Sequence, residues 1–212
     1  MRIQVLGLPG SGKTTLAKKI ADYFGYQYIP ERYKDNPFLA ESWKLTQTAE
    51  EGTFPPEIAY SQQWFLSQYI TSLRTEAKNI VQDAGAIMGC VYTMSLSDLG
   101  LIHPEVAKSM IRSYYGLFGP QDIFINIEMG SANLLERRRR RGRDFEELIN
   151  EDRVIDFLNA AEENLMHVVM PDALTMSGAR IISVCPRVDV EEDVLFEKVI
   201  GMIVKRPEEL KW

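Results

Sequence analysis

The chain of 212 residues has few cysteines and histidines, and it has no long apolar run. Its two cysteines, Cys90 and Cys185, are too few for a disulfide framework and are typical of a reducing compartment. The two histidines have no partners at the spacing of a metal site or a catalytic triad. No apolar stretch approaches the roughly 20 residues of a membrane span, and no secretory leader, internal repeat or low-complexity linker is visible. These absences predict a soluble, cytoplasmic protein that does not act at a membrane.

The charge balance is acidic. There are 24 Lys and Arg residues against 30 Asp and Glu residues, which gives a formal net charge of −6. Binding of polymeric nucleic acid is therefore not favoured, although a local basic patch remains compatible with this balance. The length suits one α/β domain over residues 1–212, with a core large enough to need no disulfides or structural metals.

The most informative motif lies near the start of the chain. Residues 7–14 read GLPGSGKT and match the phosphate-binding pattern G-x-x-x-x-G-K-[ST]. A short β-rich run precedes the motif and a helical pattern follows it, as this loop requires. The alternative is a chance glycine turn that caps a helix. The phosphate-loop interpretation predicts a nucleoside triphosphate site formed by Gly7, Leu8, Pro9, Gly10, Ser11, Gly12, Lys13, Thr14 and Thr15.

Two residues of this loop carry distinct chemistry. Lys13 offers a positive charge to the β- and γ-phosphates, and the Thr14 hydroxyl is a ligand for Mg²⁺. The glycines let successive N–H groups face one anion, and the helix N-terminus adds its dipole. ATP and Mg²⁺ are therefore the expected substrate and cofactor.

Apolar runs alternate with helical patterns, which predicts a five-stranded parallel sheet with helices on both faces. Ligands in such sheets bind at the carboxyl ends of the strands. We expect a loop over Leu45–Pro56. The predicted strands are Arg2–Leu6, Tyr26–Ile29, Ile80–Asp83, Ile123–Ile127 and Ile181–Val184. The predicted helices are Lys13–Phe24, Glu57–Lys78, Glu105–Tyr115, Ala132–Arg140, Glu147–Met166 and Val190–Val204.

Two carboxylates follow predicted strands at the edge that carries the phosphate loop. Glu31 lies where a general base could receive the proton of an acceptor hydroxyl, and the alternative is a solvated loop carboxylate. Asp83 ends the third strand, where phosphate-loop proteins commonly hold Mg²⁺ directly or through water. Its alternative role is to cap the following turn.

An arginine run and an aromatic helix complete the set of candidates. Residues 137–143 read RRRRRGR and are either a solvated face, a nucleic-acid patch or a flap that neutralises phosphate charge. Helical spacing predicts that Arg137 and Arg141 point together while Arg138 and Arg139 face water. On the predicted helix near residue 62, Gln62 is a candidate for pairing with a base edge, although its aromatic neighbours are also explained by core packing.

Together these segments resemble the deoxynucleoside kinase family, particularly the bacterial deoxyadenosine and deoxyguanosine kinases. Four blocks match in order over roughly residues 1–165. They are the phosphate loop GLPGSGKTTLAKKIA, the acidic segment IPERYKDNPFLAESW, the helical segment QQWFL and the arginine-rich segment LLERRRRRGRDFEE. The phosphate loop alone is shared with many folds, whereas the second and fourth blocks are much more specific.

The resemblance implies transfer of the ATP γ-phosphate to the 5′-hydroxyl of a deoxynucleoside, with a purine somewhat favoured. It makes Glu31 the general base, Gln62 the partner of the base, and Glu146 the contact of the sugar 3′-hydroxyl. Asp83 is expected to face the substrate and the metal. The flap arginines implied by the family pattern are Arg137, Arg141 and Arg143. The family also suggests a homodimer.

The chain departs from the family after the third strand. The family has Asp/Glu-Arg-Ser and then an Asp, whereas this chain has Ala84 at the arginine and Gly89 at the later acid. Tyr69 stands about where the family has an arginine facing the base. Loss of a cation at a transferring phosphoryl group weakens catalysis. We hypothesise that Arg32 fills the space that Ala84 vacates.

These departures leave three functions open. The first is a working deoxynucleoside kinase, and the second is a kinase for another small acceptor such as a nucleoside monophosphate. A monophosphate site would need extra cations near the acceptor, and Ala84 argues against it. The third is a nucleotide-binding protein that has lost phosphoryl transfer.

Overall fold

A computed structural model describes residues 1–72, 77–141, 148–186 and 192–204. Its centre is one parallel five-stranded sheet with the strand order β2-β3-β1-β4-β5. The predicted α/β fold class with a five-stranded parallel sheet is therefore confirmed. The strands are β1 (Arg2–Gly7), β2 (Gln27–Ile29), β3 (Ile80–Asp83), β4 (Ile123–Ile127) and β5 (Arg180–Val184).

The helices connect these strands and cover both faces of the sheet. In chain order they are α1 (Lys13–Phe24), α2 (Leu39–Thr48), α3 (Pro56–Ser72), α4 (Ala86–Asp98), α5 (Pro104–Tyr115), α6 (Ser131–Arg141), α7 (Glu151–Asn164), α8 (Met170–Ser177) and α9 (Glu192–Val204). A 3₁₀ turn covers Tyr33–Asp35, and a π-helical turn over Leu165–Val169 joins α7 to α8. Local capping explains two of the starts, since His103 Nδ1 and Asn150 Oδ1 accept backbone N–H groups of the first turns of α5 and α7.

The core consists of two apolar clusters on opposite faces of the sheet. The smaller cluster joins β-strand residues such as Ile3, Val5 and Ile125 to α1 and α9. The larger cluster lies on the other face and includes Ile87, Met88 and other buried residues of α4. Each fully buried aliphatic side chain contributes roughly 1.5–3 kcal/mol. These two layers fix the sheet, and thereby the edge at which its strands end.

Three helices, α2, α4 and α8, were not predicted from the sequence. Helix α4 was not predicted because its sequence AIMGCVYTMSLSD is apolar all round, so that it has no polar face to show a helical period. Helix α2 was also not predicted, and the predicted loop over 45–56 is wrong in its first part because Leu45–Thr48 complete this helix. Among the described residues, none of the helices is long and apolar enough to cross a bilayer.

Candidate active site

The candidate active site is a cavity of about 460 Å³ at the carboxyl ends of the strands. The phosphate loop forms one end and helices α2, α3, α6 and α7 form the other. The predicted site residues that line it are Pro9, Gly10, Gly12, Lys13, Thr14, Thr15, Glu31, Gln62 and Arg137. The remaining predicted residues with described side chains, Gly7, Leu8, Ser11, Tyr69 and Asp83, do not line it and lie behind this wall or within the loop.

Hydrogen bonds within the phosphate loop converge on the carbonyl group of Leu8. The backbone N–H of Ser11 donates to Leu8 O at 3.1 Å, and the nearly buried Lys13 donates through Nζ to the same carbonyl at 3.3 Å. A side chain at Gly7 would be impossible without movement, because a Cβ there would lie 2.7 Å from Ser11 Oγ and 2.8 Å from Ile127 O. The chain therefore presents a tight, glycine-dependent cradle with one lysine, as binding of phosphate groups requires.

Thr14 and Asp83 are adjacent behind the loop. Thr14 Oγ1 donates to Asp83 Oδ2 at 2.6 Å, and the Tyr28 hydroxyl donates to the same oxygen at 3.3 Å. The other carboxylate oxygen, Asp83 Oδ1, is buried and has no hydrogen-bond partner among the described residues. One hydroxyl and one unsatisfied carboxylate oxygen fit Mg²⁺, which keeps several waters and takes further oxygen ligands from phosphates.

Glu31 follows β2 and lines the same cavity as Lys13. Burial raises the pKa of its carboxyl group from 4.5 to about 7, and the charge of Asp83 acts in the same direction. The charge of Lys13 and a hydrogen bond from the Tyr69 hydroxyl, 3.4 Å from Glu31 Oε1, oppose this increase. A carboxylate that titrates near neutral pH is suited to act as a general base.

The end of the cavity away from the phosphate loop is rich in aromatic side chains and contains the carboxamide of Gln62. Gln62 is buried, and its backbone carbonyl accepts from the Tyr114 hydroxyl at 2.8 Å. Its Oε1 lies 3.5 Å from Thr93 Oγ1, whose proton is donated to Gly89 O at 2.9 Å. Its amide nitrogen has no hydrogen-bond partner in the described parts of the chain. With Phe65 and Trp43 in the same wall, this end can enclose a planar ring and meet its edge with an amide.

The arginine run follows the helical-spacing prediction only in part, since Arg139 is exposed as expected whereas Arg138 is buried. Arg137 Nη1 donates to Ser11 O at 3.3 Å, so that it lies over the phosphate loop. Arg138, which was expected to face water, is 4% exposed and stacks on the Trp43 ring at 4.1 Å. Arg138 is buried because its guanidinium lies against the face of the Trp43 ring, which belongs to α2. Arg139 is half-exposed and pairs with Glu151 at 2.6 Å.

Three further candidates of the flap lie outside the described residues. Arg143 and Glu146 fall in the segment 142–147, and the Arg141 side chain is not described although its backbone ends α6. Their roles stay predictions.

The Arg32 hypothesis is wrong in its geometry. The guanidinium is exposed and is held by Asp35 Oδ2 at 2.8 Å and by Gln68 Oε1 at 3.2 Å, so that it does not enter the space beside Ala84. The presence of Gly89 where the family has an acidic residue has a physical explanation. A Cβ on Gly89 would lie 2.9 Å from Tyr69 Cε2 and 2.5 Å from Tyr114 Cε1. Two tyrosine rings thus occupy the space where the resemblance places an acidic side chain.

Sequence reasoning missed part of the cavity wall. Ser42, Trp43 and Thr46 come from α2, and Phe157 comes from α7. The apolar residues Leu39 and Trp43, four positions apart in the acidic block, were the available signal of a helical face.

Three solved structures share the fold of the whole chain, and all three are of deoxyadenosine kinase from M. mycoides. The one with bound dCTP has a TM-score of 0.73 at 20% identity, over 96% of this chain and 98% of that chain. The one with products dCMP and a flexible dCDP bound has a TM-score of 0.73 at 19% identity, over the same shares. The one with bound dATP has a TM-score of 0.75 at 20% identity, over 97% and 100%. The resemblance to deoxynucleoside kinases is therefore confirmed at the level of the fold.

A family model described as an AAA domain matches residues 2–125, which is more than half of the chain. The matched part includes the phosphate loop, Glu31, Gln62 and Asp83. Among curated proteins, no sequence matches the chain.

Proposed function

Because the chain belongs to the AAA domain family, we propose that it is a phosphotransferase that moves the γ-phosphate of ATP to the 5′-hydroxyl of a deoxynucleoside. The observation that carries this proposal is the shared cavity of Lys13 and Glu31, in which a phosphate-binding cation and a carboxyl group with a pKa of about 7 face one space. A purine is favoured only by the resemblance to deoxyadenosine and deoxyguanosine kinases. We further propose that residues 1–212 act as one domain.

The reaction balances on the residues of this cavity. The acceptor oxygen forms a bond to the γ-phosphorus, the bond from that phosphorus to the bridging oxygen breaks, and ADP is released. Glu31 receives the proton of the acceptor hydroxyl. Lys13 and Arg137, which both line the cavity, neutralise phosphate charge. Thr14 and Asp83 would hold Mg²⁺, which when bound would supply charge neutralisation and alignment of the phosphates.

The residues that differ from the family pattern around Tyr69 bear on which base the acceptor carries. A neutral tyrosine and a glycine replace the arginine and the acid that the resemblance places beside the base. The acceptor end is therefore expected to select a different base edge from that of the family, with the buried Gln62 as a polar contact.

Ala84 favours a second candidate function, nucleotide binding without transfer. Ala84 is fully buried, and Arg32 does not replace the missing cation. On this alternative, ATP binds at the phosphate loop and no acceptor is phosphorylated.

An acceptor panel separates the two functions. Purified protein with Mg-ATP is offered each deoxynucleoside and each monophosphate, and ADP release is measured above an acceptor-free blank. We expect turnover with one deoxynucleoside, and a loss of at least about 100-fold in Lys13→Ala, because the γ-phosphate loses its fixed cation.

Lys108→Ala removes an exposed lysine of α5 that does not line the cavity, and is the matched control. ATP binding without turnover on any acceptor would reject the kinase and support the second function.

A further inference from the structure

A second cavity of about 220 Å³ lies beneath the sheet, on the face covered by α3 and α4. Its walls come from β1, β3, β4, the ends of α3 and α4, the segment 117–121 and α8. It shares no lining residue with the candidate active site. It is therefore a separate chamber of the same fold.

The floor of this chamber is polar at the centre of the sheet. Gln4 of β1 is 3% exposed and pairs in register with Gln82 on one side and with Phe124 on the other. On the opposite face of the same strands, Ile3 and Val5 are aliphatic. Central strands of parallel sheets are normally apolar on both faces, and a buried carboxamide is unfavourable unless it is hydrogen-bonded. The adjacent side chains of Gln4 and Gln82 therefore indicate that this position faces a polar partner.

The polar atoms of the chamber are only partly satisfied by the chain. Gln4 Nε2 donates to Ala84 O. Two buried atoms in the same lining, Arg2 Nε and Gln121 Oε1, have no hydrogen-bond partner among the described residues. The chamber thus presents one unsatisfied donor and one unsatisfied acceptor beside two carboxamides on its floor.

The remaining walls define the shape and charge of an occupant. Phe118 and Phe124 contribute aromatic faces, and the lining contains one cation, Arg2, and no acidic side chain. Guanidinium and carboxamide groups are the side chains that pair with the edges of nucleobases, and aromatic rings stack on their faces. The volume is below that of a pocket for a drug-sized molecule, which suits a single ring system.

We propose that this chamber binds a free nucleobase, or a planar heterocycle with the same N–H and carbonyl edges. Arg2, Gln82 and Gln121 contact its edge, and Phe118 and Phe124 contact its faces. The binding step is independent of the proposed kinase activity.

The chamber is connected to the active site at two points. Tyr69 lines its wall and donates to Glu31. Gln4 holds the carbonyl of Ala84, the residue that follows Asp83. An occupant that shifts either contact changes the surroundings of a candidate catalytic carboxylate. This regulatory consequence rests on the proposed function, whereas occupancy does not.

The test is binding of three probes, hypoxanthine, adenine and uracil, to the full chain by saturation-transfer NMR and equilibrium dialysis. We expect at least one base to bind, and Gln82→Leu and Gln121→Leu each to weaken that binding by about tenfold or more. Gln63→Leu, at an exposed position of α3, is the matched control and leaves binding unchanged. Ala173→Leu fills the chamber from α8 and is expected to abolish binding. This variant keeps the glutamines, so it tests the proposal independently if a glutamine variant folds poorly.

A Gln62→Leu variant separates this chamber from the acceptor end of the active site. Binding that survives Gln62→Leu and is lost in Gln82→Leu supports the proposal, whatever the kinase panel shows. Binding that is lost in Gln62→Leu and survives Gln82→Leu overturns it, since the base then occupies the active site. Absence of binding for all three bases at millimolar concentration also overturns it.

Discussion

Replacement of Glu31 by Gln is expected to lower kcat by roughly 10²–10⁴-fold, with the deoxynucleoside that the panel identifies as acceptor. Gln keeps the size of the side chain but cannot receive the proton of the acceptor hydroxyl. Binding of ATP should change little, because Lys13 and the backbone of the phosphate loop remain in place. The measurement is steady-state turnover together with an independent determination of ATP affinity.

The pH dependence of the wild-type rate is part of the same prediction. The base must be deprotonated, and the pKa of Glu31 is raised to about 7 by burial and by the charge of Asp83. The rate is therefore expected to rise with pH through the region of 6 to 8 and then to level off. In Glu31→Gln the residual rate should lack this rise, since the titrating group is gone.

The stability of the folded protein should fall with pH over the range in which the rate rises. Because the pKa of Glu31 is about 7 in the folded protein against 4.5 in the unfolded chain, the folded state binds more protons between these values. The free energy of unfolding therefore falls as pH rises from about 4.5 to 7. Glu31→Gln removes this effect, so we expect the variant to be more stable than wild type at pH 8, by on the order of 3 kcal/mol, and equal to it below pH 4.5.

Glu41→Gln is the matched control for all three measurements, since Glu41 is exposed on α2 and does not line the cavity. A Glu31→Gln variant that keeps wild-type turnover would assign the proton transfer to another group or to water. A wild-type rate that is flat between pH 6 and 8 would contradict the raised pKa.

The sequence contained enough to predict the sheet, because its signals are local. Each strand is a short apolar run, and β3 and β4 were predicted with their observed limits. The phosphate loop was equally clear, since its glycines and its lysine must be contiguous. Helix α4 was invisible for a physical reason: a helix buried on every side has no polar face, and burial is a property of the tertiary structure.

The residues of the site could be predicted where a single motif identifies them. The contacts between segments that are distant in the sequence could not be predicted. Stacking of Arg138 on Trp43 joins α6 to α2, and contact of Tyr69 with the position of Gly89 joins α3 to α4. Helical spacing gave the wrong exposure for Arg138 because spacing describes one helix, whereas the aromatic surface that buries the guanidinium belongs to another.

The turn after β3 carries the second large prediction. Gly85 has φ 78° and ψ −166°, a region that is essentially restricted to glycine. A Cβ there would lie 2.6 Å from Gln4 Nε2 and 2.8 Å from Gln82 Nε2. Gly85→Ala therefore combines backbone strain with a clash against two side chains of the central strands. We expect a loss of about 2–4 kcal/mol in the free energy of unfolding, measured by urea denaturation.

Gly25→Ala is the comparison variant, at a left-handed position with a milder backbone cost and no clash. Gly25 also has a positive φ of 65°, but nothing lies within 4 Å of an added Cβ, so the expected loss is only about 1 kcal/mol. Truncation of Gln82 to Ala in the Gly85→Ala background should recover the part of the clash that is due to Gln82 and leave the strain and the contact with Gln4. Gly85→Ala is also expected to weaken ATP and Mg²⁺ binding, because the turn directly follows Asp83, whose carboxylate is held by Thr14. If Gly85→Ala were no more destabilising than Gly25→Ala, the two glutamines would not be packed against this turn, and the polar floor of the second cavity would have to be arranged differently.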